Sequence, residues 1–406
     1  MQLINNLRKY HYFIILLILW VLASPNTALA SSDSPHVEKE ITEPLGPNKI
    51  PTPEEYPEFN AGEMIFEHIL DSYEWHFWGE GGEVVAIPLP IIIYCPGRGV
   101  DVFWSSNFHH GHFSHRGYTL YKKPGEKKFT IGAVNEREHL RVNQITMNPE
   151  LTSKLWDFSI TKNVVAIMFS GFILLLIMIT VARSYVKRQG MAPKGIQSLI
   201  EPLIILIRDD VAKPSIGAKY EKFMPYLLTV FFFVLINNLL GLIPFFPGGA
   251  NLTGNIAITL SLAAITFFIQ MFNTKKYFWQ HVFAMPGIPK AVLIILTPIE
   301  ILGVILRPFV LMVRLFANIT AGHIVALAFI SMIFIFNKTF GLGGAFGISI
   351  FSGLMYVFMG FLELLVAFLQ AYVFTLLSAI YFGAAIEEHH HDTKDHDAHV
   401  EEAALI

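Results

Sequence analysis

Cysteine and charge are both scarce in this sequence. Cys95 is the only cysteine among 406 residues, which excludes an intrachain disulfide and any metal site built from several cysteines. Charged residues make up only 15% of the chain, against roughly 25% in soluble domains, and hydrophobic residues make up 53%. The formal net charge of -3 argues against nucleic acid as a partner. This composition predicts a membrane protein.

The sequence also lacks a Gly-x4-Gly-Lys-Ser/Thr phosphate loop and a visible internal repeat. The first absence indicates that nucleotide chemistry does not take place in this chain, so we expect no cofactor and no catalytic role. The second absence disfavours a secondary ion transporter, whose two halves usually repeat around broken helices. A transporter with a charged midmembrane site stays the alternative from another class of proteins.

The first thirty residues have the pattern of a secretory signal peptide. Arg8 and Lys9 precede an apolar core at residues 12–23, and Ala28-Leu29-Ala30 offers the small residues of a cleavage site. An uncleaved anchor helix is the alternative, but the core is short for a span of about 20 residues. The pattern therefore predicts cleavage of residues 1–30 and export of the chain from Ser31 to the first membrane span.

Residues 31–155 are predicted to form a small, partly β extracytoplasmic region. Its first part, residues 31–57, is rich in Pro, Glu and Ser and is predicted to be a mobile lead-in. Short β-rich runs bounded by Gly and Pro then predict strands at 84–94, 100–104, 118–121 and 129–133.

Two groups of histidines raise the question of a metal site. His109, His110, His112 and His115 lie in one loop without a carboxylate among them, which is more typical of a solvated loop than of a metal site. The tail at 389–406 is also rich in histidine. We expect that tail to be a solvated cytoplasmic end.

Five apolar stretches predict an all-α polytopic membrane domain over residues 156–388. The loop after the first stretch is rich in Lys and Arg, which marks it as cytoplasmic, and an exported N-terminus followed by one span gives the same orientation. Helical spacing of apolar residues in that loop predicts an amphipathic helix at 196–207 on the cytoplasmic face. The predicted spans are residues 164–182, 226–245, 256–272, 288–336 and 348–386.

The last two stretches are too long to cross a bilayer upright. At 1.5 Å per residue they would be about 70 Å and about 60 Å long, against a hydrocarbon core of about 30 Å. Either each breaks into two spans or each lies steeply tilted. A polar stripe on one face favours long, tilted helices, because it implies one continuous partner surface. The stripe consists of Glu300, Arg307, Arg314 and Asn318 on the first helix, and Glu363 and Gln370 share a face of the second.

Arg314 is the most informative single residue. It lies in the otherwise apolar run 309–335, and its guanidinium stays protonated at any physiological pH. Placing such a charge at the centre of a spanning helix costs roughly 2.5–3.5 kcal/mol on insertion scales. Long apolar runs on both sides argue against an arginine that snorkels from a helix end. We therefore predict a functional arginine that faces a carboxylate, a cavity or water.

His323 lies nine residues after Arg314, which is half a turn around the helix and about 13 Å along it. It therefore points away from the polar stripe. A buried histidine is most often a core residue, but Glu363 is available as an intramembrane partner, and a His–Glu pair suits a proton relay. We favour the relay over core packing.

These residues resemble subunit a of F-type ATP synthases. The run Arg314-Leu315-Phe316-Ala317-Asn318, followed by Ala321-Gly322-His323, is similar to the arginine motif of that family. In many bacterial relatives the position of His323 holds an acid and that of Glu363 a histidine, so the pair is exchanged here. The resemblance covers roughly residues 71–389. Further matching pieces are Glu300 and residues 72–76, 237–244, 369–374 and 387–389.

The resemblance implies a stator subunit in the inner membrane of a bacterium, with its mature N-terminus exported and its C-terminus in the cytoplasm. Its partners would be a rotating ring of c subunits, the peripheral-stalk subunit b, the rest of the synthase and the lipid bilayer. Glu300, His323 and Glu363 would line a path from the exported side to a carboxylate of the ring. A second half-channel would open to the cytoplasm.

The resemblance also implies a role for the arginine between the two half-channels. Arg314 would hold the passing ring carboxylate ionised and would block direct leakage of protons, because a cation repels hydronium and cannot donate a proton. Gln370 and Asn318 would orient its guanidinium, and Arg307 belongs to the same translocation set. The histidine favours protons over sodium ions as the coupling ion.

Overall fold

The computed structural model of the protein describes residues 69–78, 85–123, 128–243, 248–283 and 288–387, with residues 62, 65 and 66 before them. The predicted signal peptide, the lead-in at 31–57 and the histidine-rich tail at 389–406 lie outside the described residues. Two parts are seen, a small β-rich module and a helical unit that comes after it in the chain.

Three small antiparallel sheets build the module within the described residues. β1 (Glu74–Trp78) pairs with β2 (Val85–Pro88), and β5 (Tyr118–Lys122) pairs with β6 (Phe129–Ala133). The third sheet has the order β4-β3-β7. Its strands are β3 (Pro90–Cys95), β4 (Gly99–Trp104) and β7 (Trp156–Asp157).

β4, β5 and β6 lie where the sequence predicted strands, whereas β1 and β7 were missed. The single strand predicted at 84–94 is divided at Leu89 into β2 and β3, which belong to different sheets. β7 has only two residues, so it has no alternation that a sequence pattern could show. β7 is a strand only because it pairs with β3, where Tyr94 lies opposite Trp156. The two residues are more than sixty positions apart in the sequence. β3, β4, β5 and β6 meet in one core, which contains Tyr73, Ile91, Ile93, Phe103, Phe108, Tyr118 and Ile131.

The helical unit begins after a short helix, α1 (Pro149–Ser153), and β7. α2 (Lys162–Lys187) is the first long apolar helix. It is followed by α3 (Ile196–Leu206), a π-helical turn at Ile207–Ala212 and α4 (Lys213–Ile216). The next elements are α5 (Tyr220–Leu242), α6 (Ile256–Asn273), the short α7 (Lys276–Phe283) and α8 (Lys290–Ile386).

α8 runs for 97 residues, and only Gly341 leaves helical geometry, with φ 68° and ψ -167°. This residue divides α8 into a first arm, residues 290–340, and a second arm, residues 342–386. The arms fold back on each other, since the rings of Phe329 and Phe351 lie 6.4 Å apart. The sequence predicted helix ends at 336 and 348. The structure corrects both, because a single glycine, for which a positive φ costs little, makes the whole turn.

Four helical segments of the described chain are long and apolar enough to cross a membrane. They are Lys162–Lys187, Ile196–Leu242, Ile256–Asn273 and Val292–Ile386. Each predicted span lies mainly within one of these segments, and the protein is a mostly helical, multi-pass membrane protein. The last segment contains both arms of α8, so the count of five embedded helices and their tilt stay predictions.

The second arm packs against α5 through small side chains. Ala371, Thr375, Ser378 and Ala379 are fully buried. Small residues let helix backbones approach closely, which is how helices associate in a membrane, where apolar burial gives no driving force. Facing them on α5, the side chains of Leu227, Phe231 and Val234 are also fully buried. This contact holds the second arm in a defined position beside α5.

The β-rich module is attached to the beginning of α2. Asp71 Oδ1 accepts a hydrogen bond of 3.1 Å from the backbone N–H of Asn163, and the N–H of Lys162 donates to the carbonyl of Ser72 at 2.9 Å. Trp75 is 2% exposed and packs in a cluster with residues of α2, α6 and the loop before α6. The members of that cluster are Ala166, Ile167, Ala250, Leu252 and Ile258.

Candidate ion-translocation site

The helical unit has two distinct ends, and the position of each predicted site residue can be described relative to them. At one end, which we call the module end, the hydroxyl of Thr253 donates to Asn238 Oδ1 at 2.7 Å, close to Trp75 and its cluster. At the other end, which we call the far end, the N–H of Lys275 donates to the carbonyl of Ala385 at 2.9 Å. α5 and α6 run antiparallel between these ends, and so do the two arms of α8.

His323 and Glu363 face each other across the two arms of α8, as predicted. Nδ1 of the histidine lies 3.6 Å from Oε1 of the glutamate, and the side chains are only 18% and 14% exposed. This distance is too long for a direct hydrogen bond. Glu363 Oε1 is buried and has no hydrogen-bond partner in the described part of the chain. A small side-chain rotation or one bridging water would therefore complete a path for a proton between the two groups.

Gly322 makes room for this pair, and Gly241 borders it. A Cβ at Gly322 would lie 2.8 Å from Glu363 Oε1 and 3.2 Å from its Cγ. A Cβ at Gly241, near the end of α5, would lie 3.6 Å from His323 Nε2. The close contact with Gly241 places the pair towards the module end. Gly322 lies in the motif that carries the family resemblance, but its steric role depends on the second arm and is invisible in the sequence.

We expect Gly322→Ala to slow proton transfer through this pair. The new methyl group would meet the Glu363 carboxylate at less than van der Waals distance and push it away from His323. Gly303→Ala is the matched control on the same arm, because a Cβ there meets no atom within 4 Å. The measurement is ATP-driven proton pumping in vesicles that contain each variant. Equal losses for the two variants would show that helix propensity, and not the contact with Glu363, is responsible.

Lys162 and Asn238 are polar residues of the same end that sequence reasoning missed. Lys162, the first residue of α2, is only 5% exposed. The side-chain amide of Asn238 donates to the carbonyl of Ala367 on the second arm at 3.1 Å. The sequence could have pointed to Lys162, because a lysine in the first turn of an apolar span is costly and is therefore a candidate functional residue.

Arg314 and Asn318 are exposed on the surface of the first arm, whereas Gln370 on the second arm is buried and 6% exposed. Within the described residues, no hydrogen bond or ion pair joins Arg314 to another side chain. The described structure shows no hydrogen bond from the Arg314 guanidinium to the side-chain oxygen of Gln370 or Asn318, so the orienting role of these two residues stays a prediction. The exposed position has a physical consequence: the partner of this charge comes from outside the described chain or from water.

Arg307 differs from Arg314, although both belong to the same sequence stripe. Its guanidinium carbon lies 5.8 Å from the ring centre of Phe278 on α7 and 5.5 Å from that of Tyr381 on the second arm. A cation held over two aromatic rings is stabilised by their quadrupoles. Its Nη1 is buried without a hydrogen-bond partner among the described residues. Arg307 thus joins three elements of the far end.

Glu300 does not lie beside His323 and Glu363. It is half-exposed, and its neighbours Ile301 and Val304 pack against α7 and the last turns of α6, at the far end. Glu300 precedes His323 by 23 residues of continuous helix, which corresponds to about 34 Å. This separation corrects the expectation that all three line one path. The sequence spacing alone could not show it, because the position of α7 and α6 decides which end each residue occupies.

In the histidine loop of the module, the side chains of His109, His110 and His112 are exposed, and the loop also makes defined contacts. His110 Nδ1 lies 2.6 Å from Glu74 Oε2, and the ring of His139 stacks on Phe113 with centroids 5.0 Å apart. Burial, followed by the nearby charge of Arg116, lowers the pKa of His115. In the described ranges, no three His, Cys, Asp or Glu side chains are grouped so that they could hold a metal ion.

The fold and the site together define a multi-pass membrane protein with charged and polar groups inside its apolar helices. The chain belongs to the ATP synthase A chain family, whose model matches residues 164–383. Residues 64–158 match a separate family that is described only as a domain of unknown function.

The relatives of this chain carry matching names. It is 47% identical over 262 residues to ATP synthase subunit a 2 of Chlorobaculum tepidum, which covers 63% of this chain and 70% of that protein. It is 42% identical over 254 residues to ATP synthase subunit a of Chloroherpeton thalassium, covering 61% and 73% of the two chains. It is 43% identical over 251 residues to ATP synthase subunit a 2 of Prosthecochloris aestuarii, covering 60% and 74%.

Proposed function

We propose that this chain is the stator subunit of the membrane sector of a proton-driven ATP synthase, without a catalytic role of its own. The observation that carries the proposal is the arrangement of ionisable groups along the first arm of α8. Glu300 lies at the far end, His323 with Glu363 lies towards the module end, and Arg314 lies between them. One continuous helix holds all of them except Glu363, which the second arm supplies.

In this proposal, the two ends correspond to two half-channels. His323 and Glu363 receive protons from the exported side, and Glu300 belongs to a second path that opens to the cytoplasm. Along the helix, Arg314 is about 21 Å from Glu300 and about 13 Å from His323. On the groups of the described residues alone, a proton therefore cannot pass between the two paths, and a moving carrier has to complete the route.

The carrier we propose is a carboxylate on a rotating ring of c subunits beside the exposed face of α8. That face is apolar around Arg314, with exposed side chains such as Phe309, Val313 and Leu369. A permanent cation on such a surface attracts a carboxylate and keeps it ionised. Each proton that crosses supplies about 2.3 kcal/mol per 100 mV of membrane potential. The ring converts this energy into rotation that drives synthesis elsewhere in the complex.

Co-purification tests the assembly that this function requires. We expect the full-length chain, extracted from its native membrane in mild detergent, to bring with it a ring of small two-helix subunits that carry one membrane carboxylate each. Subunit b of the peripheral stalk and the nucleotide-hydrolysing part of the synthase are expected in the same particle. A chain that purifies alone but still moves ions after reconstitution would favour the transporter alternative.

We also propose an orientation for the chain in the bacterial inner membrane, with the β-rich module exported and the far end in the cytoplasm. Single cysteines at Ser106 and at Lys187 test it, because both positions are exposed and the native Cys95 is buried. A membrane-impermeant thiol reagent added to the exported side is expected to label the first position and not the second. Labelling of both positions from the cytoplasmic side would overturn the orientation.

A further inference from the structure

The sheet β4-β3-β7 has one buried face and one exposed face, and the exposed face is apolar. On the buried side, Ile91, Ile93 and Cys95 of β3 are 0% exposed. Sheets with one solvated face normally place polar residues there. The side chains that this sheet exposes are Tyr94 (44%), Val100 (66%), Val102 (55%), Trp104 (56%), Trp156 (57%) and Phe158 (59%). We call this surface the outer face.

The outer face is one continuous surface, because the strand register brings its members together. Tyr94 lies directly opposite both Val100 on β4 and Trp156 on β7. The N–H of Phe158 donates to the carbonyl of Ile92 at 2.9 Å, which continues the same row. The rings of Trp156 and Phe158 stack with centroids 6.3 Å apart. Along the strands of this sheet, the acidic side chains point to the opposite side.

Those acidic side chains are bound by buried tyrosines. The hydroxyl of Tyr118 donates to Asp101 Oδ2 at 3.0 Å, and the hydroxyl of Tyr73 donates to Asp157 Oδ2 at 2.5 Å. Burial, together with the neighbouring carboxylates, raises the pKa of both tyrosines, so they stay protonated donors. The charges of the sheet are thus satisfied inside the module. The outer face is left without charge.

The chain holds the outer face close to the membrane. Phe158 precedes Lys162, the first residue of α2, by four residues, and four extended residues span at most about 14 Å. The hydrogen bonds of Asp71 and Ser72 to the first turn of α2 restrict the freedom of the module further. The sheet is therefore held within a short distance of the first turn of α2, the first helix that is long and apolar enough to cross a membrane.

We propose that the outer face lies in the headgroup layer of the lipid bilayer. Trp and Tyr are enriched in this layer, because each has an apolar ring with a polar group that stays hydrated. An uncharged patch of two tryptophans, a tyrosine, a phenylalanine and two valines matches that environment better than it matches water. Continuity with α2 identifies lipid as the occupant. The β-rich module then rests on the membrane and holds the access path to His323 at a constant height.

A lipid-quenching experiment on the complete synthase tests this proposal. Val102→Cys is labelled with a small fluorophore and reconstituted into phosphatidylcholine vesicles that contain a lipid with a nitroxide on its headgroup. Glu138→Cys, on an exposed loop of the same module, is the control position, and the unaltered chain controls for the buried Cys95. We expect the nitroxide lipid to quench the label at Val102 several-fold more strongly than the label at Glu138, and aqueous iodide to show the reverse order.

Two outcomes would overturn the proposal. Equal quenching by iodide at both positions would mean that the outer face is in water. Protection of Val102 from both quenchers would mean that another subunit, or another part of this chain, covers the outer face. Val100→Cys repeats the measurement at a second exposed position, so that a defect in one variant does not decide the result. None of these outcomes depends on the proposed proton path.

Discussion

Replacing Arg314 with alanine is expected to abolish proton-driven ATP synthesis while the complex still assembles. The guanidinium is exposed on an apolar surface and has no charged partner in the described chain, so its loss should leave packing intact. It should remove the charge that keeps the passing ring carboxylate ionised. Removing one preorganised electrostatic partner typically costs on the order of 10²–10³-fold in rate. The measurement is respiration-driven ATP synthesis in inverted membrane vesicles.

Two controls make the Arg314 experiment specific. Val313→Ala changes a neighbouring exposed side chain of the same turn and is expected to leave synthesis close to normal. Arg307→Ala removes an identical charge from the same arm, but one held between Phe278 and Tyr381, so it should lower the stability of the complex. Passive proton leakage through the Arg314 variant would agree with its role as a barrier. Retained ATP synthesis in that variant would contradict the assignment of this chain.

Substituting either His323 or Glu363 with alanine is expected to slow coupled proton flux by roughly 10²-fold, the lower end of the range that a positioned acid or base contributes. The two side chains face each other at 3.6 Å in a mostly buried place. Loss of either one leaves the other without its partner, which is costly in an apolar environment. The measurement is proton flux coupled to ATP synthesis in inverted vesicles.

Exchanging the two residues tests more directly than the single substitutions whether His323 and Glu363 act together. The double variant with His323→Glu and Glu363→His restores the same two groups with their sites reversed, so it is expected to recover part of the flux lost in the single variants. Coupling between neighbours appears as a departure from additivity in such a cycle. If the exchange is no better than the worse single variant, and the single effects simply add, the two residues act separately and the relay is ruled out.

The sequence by itself determined the elements whose signals are local. Long apolar runs specify the helices, since a span needs about 20 apolar residues whatever surrounds it. Short β-rich runs bounded by Gly and Pro predicted the region of β2 and β3 as one strand, and β4, β5 and β6 as separate strands. The face-to-face placement of His323 and Glu363 was also predictable, because two lone ionisable groups in apolar helices are costly unless they share a partner.

Tertiary structure alone decided which end of the bundle each polar residue occupies. Glu300, Arg307 and Arg314 follow one another at equal steps on a polar stripe of one helix. This spacing does not show which other helices each of them contacts. α7 and the last turns of α6 place Glu300 at the far end, and two aromatic rings from distant elements hold Arg307. Gly322 makes room for the His323–Glu363 pair only because the second arm approaches there. The outer face of the β-rich module likewise arises from the register of three strands, because contacts between residues far apart in sequence depend on packing that no local pattern encodes.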